Sequence, residues 1–268
     1  MKPIFTVAAI SDIHLEKNFL TRDFFSHVND EANLLIIGGD ITSGATADVK
    51  LFLELISDVR VPIVLVFGNH DYNAASENEI KKMLLTNPLI KILDGDYFEY
   101  EFKGSRLGIA GAMGYGGGFS SEESSDRGIE KLEVAQAKMN QPTPEYILDL
   151  MHWEREKIEV EKLTKALHQM EKAKPNVGIA LTHWAAFKEV ILGEEPSSYP
   201  LFGSSLLGDA ILHASPQLAL SGHSHHGPQG IKQVGSKVFA CNIYYKVNEE
   251  RLPFFDFFID GNFSLRYL

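Results

Sequence analysis

The chain has 268 residues, 44% of them hydrophobic and 23% charged, which is the composition of an ordinary globular protein with length enough for a sizeable core. A disordered tail and a fibrous rod are thereby excluded, and with Cys241 as its lone cysteine the chain is no disulfide-stapled miniprotein either. The formal net charge of −11 disfavours long nucleic acids as partners. No segment reaches the ~18 apolar residues that a membrane span needs, so no membrane attachment is expected, and the lone Cys241 fits a reducing cytoplasm.

Lys2 precedes the apolar run Ile4 to Ile10, but the run is short for a signal peptide and ends at Asp12 rather than at small residues. It reads as a first strand, with the mature protein beginning at Met1. Similar short runs follow at Leu34–Ile37, Ile63–Phe67, Val177–Leu181 and Leu218–Leu220. Each is rich in Val, Ile or Leu without clean alternation, the mark of a strand buried on both faces.

Between the first three runs, Phe24, Phe25, Val28 and Ala32 share one helical face, and Val49, Phe52, Leu53 and Ile56 share another. Strand, helix, strand, helix, strand implies a mostly parallel sheet with helices on its faces. Further strands are expected at Tyr97–Phe102 and Leu107–Ala112, followed by a Gly/Ser-rich stretch from Met113 to Asp126. A long helix should start near Thr143 as N-cap, with Pro144 at its first position and an apolar stripe of Ile147, Met151, Ile158, Leu163, Leu167 and Met170. Its charges, among them Glu154, Arg155, Glu156 and Lys157, are expected on a solvated face. The tail (Ile231–Val234, Val238–Cys241, Phe254–Ile259, Phe263–Tyr267) suggests antiparallel strands turning at Gly235 and Gly261, and hence a second sheet. The whole reads as a single domain, 1–268, elaborated by the loop and long helix over about 113–174.

Each of the five buried runs ends in polar punctuation: Asp12-Ile13-His14, Gly38-Gly39-Asp40, Gly68-Asn69-His70-Asp71, His183, and Gly222-His223-Ser224-His225. Ligands of open α/β sheets collect at the carboxyl ends of the strands, where these residues lie. Carboxylate, imidazole and one amide oxygen, without thiolate, suit Mn, Fe or Zn. Asp12, His14, Asp40, Asn69, His183, His223 and His225 are too many donors for one tetrahedral zinc but suit two ions bridged by a carboxylate, with Asp40 the natural bridge. Residues two apart in an extended segment point the same way, so Asp12 and His14 can reach one ion.

Taken in this order, the five motifs resemble those of the calcineurin-like metallophosphoesterase superfamily, over residues 12 to 225. The resemblance implies an α/β class fold, a four-layer α/β/β/α sandwich of two mixed sheets, with a dinuclear metal centre on its rim. It implies that Asp12, His14, Asp40 and His225 hold one transition-metal ion, and that Asp40, Asn69, His183 and His223 hold the other. His70 would face the substrate unligated, as the catalytic residue. The Asp-Arg-Gly of the superfamily's protein phosphatases is missing, since Ser43 stands in place of its Asp, and this disfavours a protein-phosphatase identity. What supports His70 is left open, because the direction of Asp71 cannot be read from sequence.

The activity so implied is hydrolysis of small phosphoric esters by a metal-bound hydroxide, since two divalent or trivalent cations acidify water and neutralise phosphoryl oxygens. His70 would stabilise the transition state or protonate the leaving group. Two alternatives stand beside it: a nuclease or cyclic-nucleotide phosphodiesterase using the same centre, and a non-catalytic metal-binding scaffold. Neither ester class nor oligomeric state is specified by the pattern.

Taken singly, the same residues have ordinary uses: Asp12 as a helix cap, Gly38-Gly39-Asp40 and Asn69 in turns, His183 as a satisfied core histidine. His27, His152, His168 and His213 keep such readings. Gly114 to Phe119 lacks the Gly-Lys-Ser/Thr ending of a phosphate loop and suggests a lid or specificity loop. Trp184, the segment Pro196–Phe202 and His226 are open between pocket wall and plain packing.

Overall fold

The computed structural model describes residues 2–15, 20–42, 45–72, 77–119 and 144–268. Two six-stranded mixed sheets form its centre. The first contains β1 (Phe5–Ile10), β2 (Leu34–Ile37), β3 (Ile63–Leu65), β4 (Ile90–Ile92), β11 (Pro253–Phe257) and β12 (Phe263–Tyr267), in the order β12-β11-β1-β2-β3-β4. The second contains β5 (Asp96–Phe102), β6 (Ser105–Gly111), β7 (Val177–Leu181), β8 (Leu218–Ser221), β9 (Ile231–Gln233) and β10 (Phe239–Asn242), in the order β5-β6-β7-β8-β10-β9. Strands β1 to β4 are mutually parallel, as are β6, β7, β8 and β10.

Strand periodicity divides the apolar residues among three layers of core. Leu34, Ile36, Val7 and Ala9 of the first sheet meet Ile109, Ile179, Leu181 and Leu220 of the second, all fully or almost fully buried between the sheets. The alternate residues Leu35, Ile37, Ala8 and Ile10 face outward onto Val49 and Phe52 of α2 (Thr46–Leu55) and Ile80 and Leu84 of α3 (Glu77–Leu84). On the far side, Ala110, Ala180, Ala219 and Ala240 present a row of small side chains. Leu163, Leu167 and Met170 of the long helix (Pro144–Ala173) pack there, beside Leu207 and Ile211 of a helix over Ser205–Ala214. Burial on both faces explains the unbroken apolar runs, and truncating one such leucine to alanine costs about 2–5 kcal/mol.

The structure corrects several sequence expectations. The face Phe24–Ala32 forms a 3-10 turn (Arg22–Phe25) and one helical turn, α1 (Val28–Glu31), in place of one helix. The expected second sheet is present and the tail strands form antiparallel hairpins, but these are shared between the two sheets. The β9–β10 hairpin extends the second sheet through β10, parallel to β8, while the β11–β12 hairpin extends the first through β11, antiparallel to β1 with Phe5 opposite Phe257.

The long helix, α4, buries Leu163, Leu167 and Met170 as its stripe requires, but Ile158 is 49% exposed whereas Glu156 and Glu159 are buried. Glu156 accepts a hydrogen bond from Ser204, the N-cap of α5 (Ser205–Ala214). Glu159 accepts from Gly114 N at 3.3 Å and from Lys162 Nζ at 2.9 Å. Polar partners on the neighbouring loops thus turn this part of the helix inward. Ser43, the Thr143 cap and the side chains of Ile147, Met151 and His152 lie outside the described residues. Among the described residues, no helix is long and apolar enough to cross a membrane.

Candidate metal centre

The carboxyl ends of β1, β2 and β3 in one sheet and of β7 and β8 in the other meet along one rim. Backbone hydrogen bonds lace these ends together: Asp12 N donates to Gly39 O at 2.9 Å, His14 N to Asp40 O at 3.0 Å, and Gly222 N to His183 O at 3.0 Å. His183 N and Trp184 N both donate to the carbonyl of Met113, just past β6. Asp12, His14, Asp40 and His223 all have positive φ (55°, 42°, 51° and 64°), a conformation that costs non-glycine residues energy and that the surrounding structure must impose. The neighbouring loop requires one glycine here: a Cβ at Gly39 (φ +93°) would lie 2.6 Å from Gly68 N.

The side chains converge as two groups. Asp12, His14 and His225 bring one donor atom each within 4.8 Å of one another, and so do Asp40, His183 and His223. Asp40 stands between the groups, its Oδ2 lying 3.4 Å from His183 Nε2 and 3.7 Å from His14 Nε2. Asn69 Oδ1 approaches His183 Nε2 at 3.1 Å, and His225 Nε2 lies 3.2 Å from Asp12 Oδ1. His70 is more open: its Nε2 is 4.0 Å from Asp40 Oδ2, its ring meets that of His14 edge-on at 5.0 Å, and its backbone N–H donates to Asp40 Oδ1 at 2.9 Å. All eight residues singled out from the sequence therefore border one rim.

Backbone carbonyls fix the tautomers of two rings. Gly38 O can only accept, so His183 Nδ1, 2.8 Å away, carries the hydrogen, and in the neutral ring Nε2 offers its lone pair toward Asp40 and Asn69. Likewise Leu201 O takes the His223 Nε2 hydrogen at 2.9 Å and leaves Nδ1 as the donor to a cation. The surrounding charges act on the same rings. Burial alone would lower the pKa of His183, but Asp40 and Asp12 outweigh it and raise the value to about 9. Burial and the neighbouring His183 push His223 down to about 4. Burial would raise Asp12, yet hydrogen bonding and charge from His225 and His183 hold it well below the usual carboxylate range. Two buried carboxylates thus retain their charge where only a proton or another cation can compensate them. The donor chemistry, with its oriented imidazoles and no thiolate, fits transition-metal ions.

Several supporting residues carry no readable motif. Ser11 Oγ donates to Asp12 Oδ2 at 2.5 Å, and His223 N donates to the same oxygen at 3.0 Å. Asp71 points to the 40–42 backbone and to Gly68, accepting from Asp40 N, Ile41 N, Thr42 N and Gly68 N. Tyr244 stacks on His225 with ring centroids 4.3 Å apart, and Trp184 covers His223 at 4.1 Å. A cavity of about 230 Å³ opens over Asp40, His70, His223 and His225, and its remaining lining comes from Glu194, Phe202 and His226. Adjacency to the last motif was the signal for His226; Glu194 had none. The described part of the glycine-rich stretch is anchored, since Gly117 N and Gly118 N both donate to Gly203 O and Tyr115 packs on Trp184 at 4.9 Å. Residues 120–126 lie outside the described residues.

Comparison with known proteins places these residues in context. The family model for calcineurin-like phosphoesterases matches residues 5–227. Bacillus subtilis (strain 168) YpbG is 30% identical over 113 residues, 41% of this chain and 42% of that protein. A Fibrobacter succinogenes (strain ATCC 19169 / S85) protein named a "Probable cyclic nucleotide phosphodiesterase" is 36% identical over 63 residues, 23% of this chain and 24% of its own. The matches thus span less than half the length of these relatives. Among solved structures, the phosphopantetheinyl hydrolase of Mycobacterium tuberculosis superposes with a TM-score of 0.62 at 14% identity, covering 98% of this chain and 95% of that one. A Thermus thermophilus protein, TT1561, superposes with a TM-score of 0.59, also at 14% identity, over 98% and 99% of the two chains. Both share the fold.

Proposed function

The chain belongs to the calcineurin-like phosphoesterase family, and on that premise we propose that it hydrolyses small phosphoric esters at a two-metal centre built around Asp40. The observation that carries this reading is the position of Asp40 Oδ2, within 3.4–3.7 Å of imidazole nitrogens from both donor groups. Asp12, His14, Asp40 and His225 would hold one ion, and Asp40, Asn69, His183 and His223 the other. Manganese, iron and zinc all suit these donors. The bound pair supplies Lewis-acid charge and water acidic enough to attack at neutral pH.

The protein's own groups then have distinct tasks. The carbonyls of Gly38 and Leu201 keep His183 and His223 in the tautomers that present lone pairs inward. Ser11 and His223 N hold the Asp12 carboxylate in one orientation. His70, with its side chain 37% exposed beside Asp40, would meet the substrate and pass a proton from its ring to the leaving oxygen. Trp184, tilted against His223, and Tyr244, stacked on His225, keep water from one face of each ring.

The net charge of −11 favours a small ester over a long polyanion. A small phosphodiester is the second reading, favoured by the name of the Fibrobacter succinogenes relative. The test is a screen of metal-reconstituted protein against an aryl monoester, an aryl diester, nucleotides and cyclic nucleotides. Hydrolysis of at least one is expected, falling at least tenfold in His70→Asn while metal content is retained. Hydrolysis of none despite two bound ions would support a non-catalytic scaffold instead.

A further inference from the structure

Glu194 and His226 form a carboxylate–imidazole pair at the mouth of the candidate cavity, outside both donor groups. Glu194 Oε2 lies 3.0 Å from His226 Nδ1, while Oε1 accepts from His226 N at 2.9 Å and Ser224 Oγ at 3.0 Å. The Glu194 side chain is only 6% exposed, whereas that of His226 is 74% exposed. The two loops meet closely enough to require a glycine, because a Cβ on Gly193 (φ +147°) would lie 1.8 Å from His226 O. A buried carboxylate with both oxygens engaged therefore holds by its Nδ1 edge an exposed ring that lines the cavity, and leaves Nε2 outside that pairing. A surface histidine without a task would not need such a mount.

The position suggests what the ring meets. Asp40 and His70 line the same cavity as His226, so a phosphoryl group held by the donor groups around Asp40 would lie in the space that His226 borders. At about 230 Å³ the cavity is smaller than the ~300–1,000 Å³ that encloses a whole drug-sized ligand, so a sizeable leaving group must extend beyond it. Phe202, whose ring lies 5.6 Å from that of His223, gives this mouth an apolar surface, and His226 gives it a polar one.

Building on the phosphoester reading, we propose that His226 Nε2, with its ring positioned by Glu194, hydrogen-bonds the leaving group and selects esters whose leaving group carries a hydroxyl over bare aryl esters. A hydroxyl both donates and accepts, so this contact forms whichever protonation state the ring adopts.

Binding, read by calorimetry on the zinc-loaded protein, separates the alternatives, with inorganic phosphate, phenyl phosphate and glycerol 3-phosphate as probes and His70→Asn as background to slow turnover. His226→Asn retains a donor for Glu194 but has no atom at the Nε2 position. It should weaken glycerol 3-phosphate by about five- to tenfold, roughly the worth of one net hydrogen bond, and leave the other two probes within about twofold. His226→Gln, whose amide reaches the Nε2 position, should restore part of the loss. Equal weakening of all three probes, or no weakening of any, would overturn the role of His226. Failure of the parent protein to bind even inorganic phosphate would overturn the phosphoester reading, and this inference with it.

Discussion

The carboxylate of Asp71 holds the backbone of Asp40: Asp40 N donates to its Oδ2 at 3.0 Å, and Ile41 N and Thr42 N donate to its Oδ1 at 3.1 and 2.9 Å. Gly68 N and Thr42 Oγ1 complete five hydrogen bonds to one side chain that is 2% exposed. The bridging candidate is thus fixed through its main chain, by the residue following the candidate catalytic histidine. Burial and the nearby charge of Asp40 raise the Asp71 pKa to about 7, the cost of this arrangement.

Asp71→Asn removes one acceptor oxygen and places an amide donor against backbone donors. At least one buried N–H is then unsatisfied, at about 1–3 kcal/mol. Denaturant unfolding should show a stability loss of that size, and metal titration an affinity lowered about 10–100-fold, as for other residues that orient ligands. Unchanged metal affinity in a destabilised variant would limit Asp71 to a structural role.

The five strand-end motifs could be read from sequence because a strand buried on both faces has an unmistakable composition, and its exit at the rim is marked by a polar residue. Strand β4 offered no such contrast, since Lys91 interrupts Ile90 and Ile92 within three residues. The allocation of the tail strands depends on pairings such as Phe5 with Phe257, which no local pattern encodes. The direction of Asp71 depends on donors about thirty residues away, and the inward turn of Glu156 on Ser204, 48 residues away. For the same reason, Glu194 could not be associated with His226 before the fold brought their loops together.

Glu156 yields a stability test remote from the centre. Burial raises its pKa above the ordinary carboxyl value, partly offset by the Ser204 hydrogen bond. The folded state therefore binds the proton more tightly than the unfolded chain, and stability falls as pH rises from the ordinary value through the raised one. Glu156→Gln removes the buried charge and can still accept from Ser204. Thermal melts should show a gain of about 1 kcal/mol at neutral pH and less change in acid. A pH-independent difference between the proteins would place the effect elsewhere.

His183 gives the ion-free protein a pH response of the same sign by a different route. Its folded pKa of about 9 exceeds the ordinary histidine value, so the proton stabilises the fold fully below that ordinary value, and this contribution is lost as pH rises through about 9. Asp71, raised to about 7, also disfavours the fold as pH rises. Melting temperatures of chelator-treated protein should therefore decline from pH 6.5 to 9.5. Zinc or manganese should flatten that decline, because a bound cation replaces the proton and releases it to solvent. Proton release, read calorimetrically in buffers of different ionisation enthalpy, is the direct check, and its absence at pH 7 would contradict this assignment of charge.

The two donor groups should also fail independently. His225 belongs with Asp12 and His14, whereas His183 belongs with Asp40 and His223, and Asp40 has His14 and His183 both within 4 Å. Removing the His225 ring, already 41% exposed, leaves no large internal void, so His225→Ala should fold normally. Elemental analysis after dialysis should give about two ions per chain for the parent and about one for His225→Ala, as a two-metal site with separate donor sets requires. Asp40→Asn, which weakens the shared carboxylate, should retain fewer ions than either His225→Ala or His183→Asn, with circular dichroism confirming the fold. Loss of both ions in His225→Ala would mean that the centre assembles as one cooperative unit, and equal occupancy in parent and Asp40→Asn would remove Asp40 from the bridge.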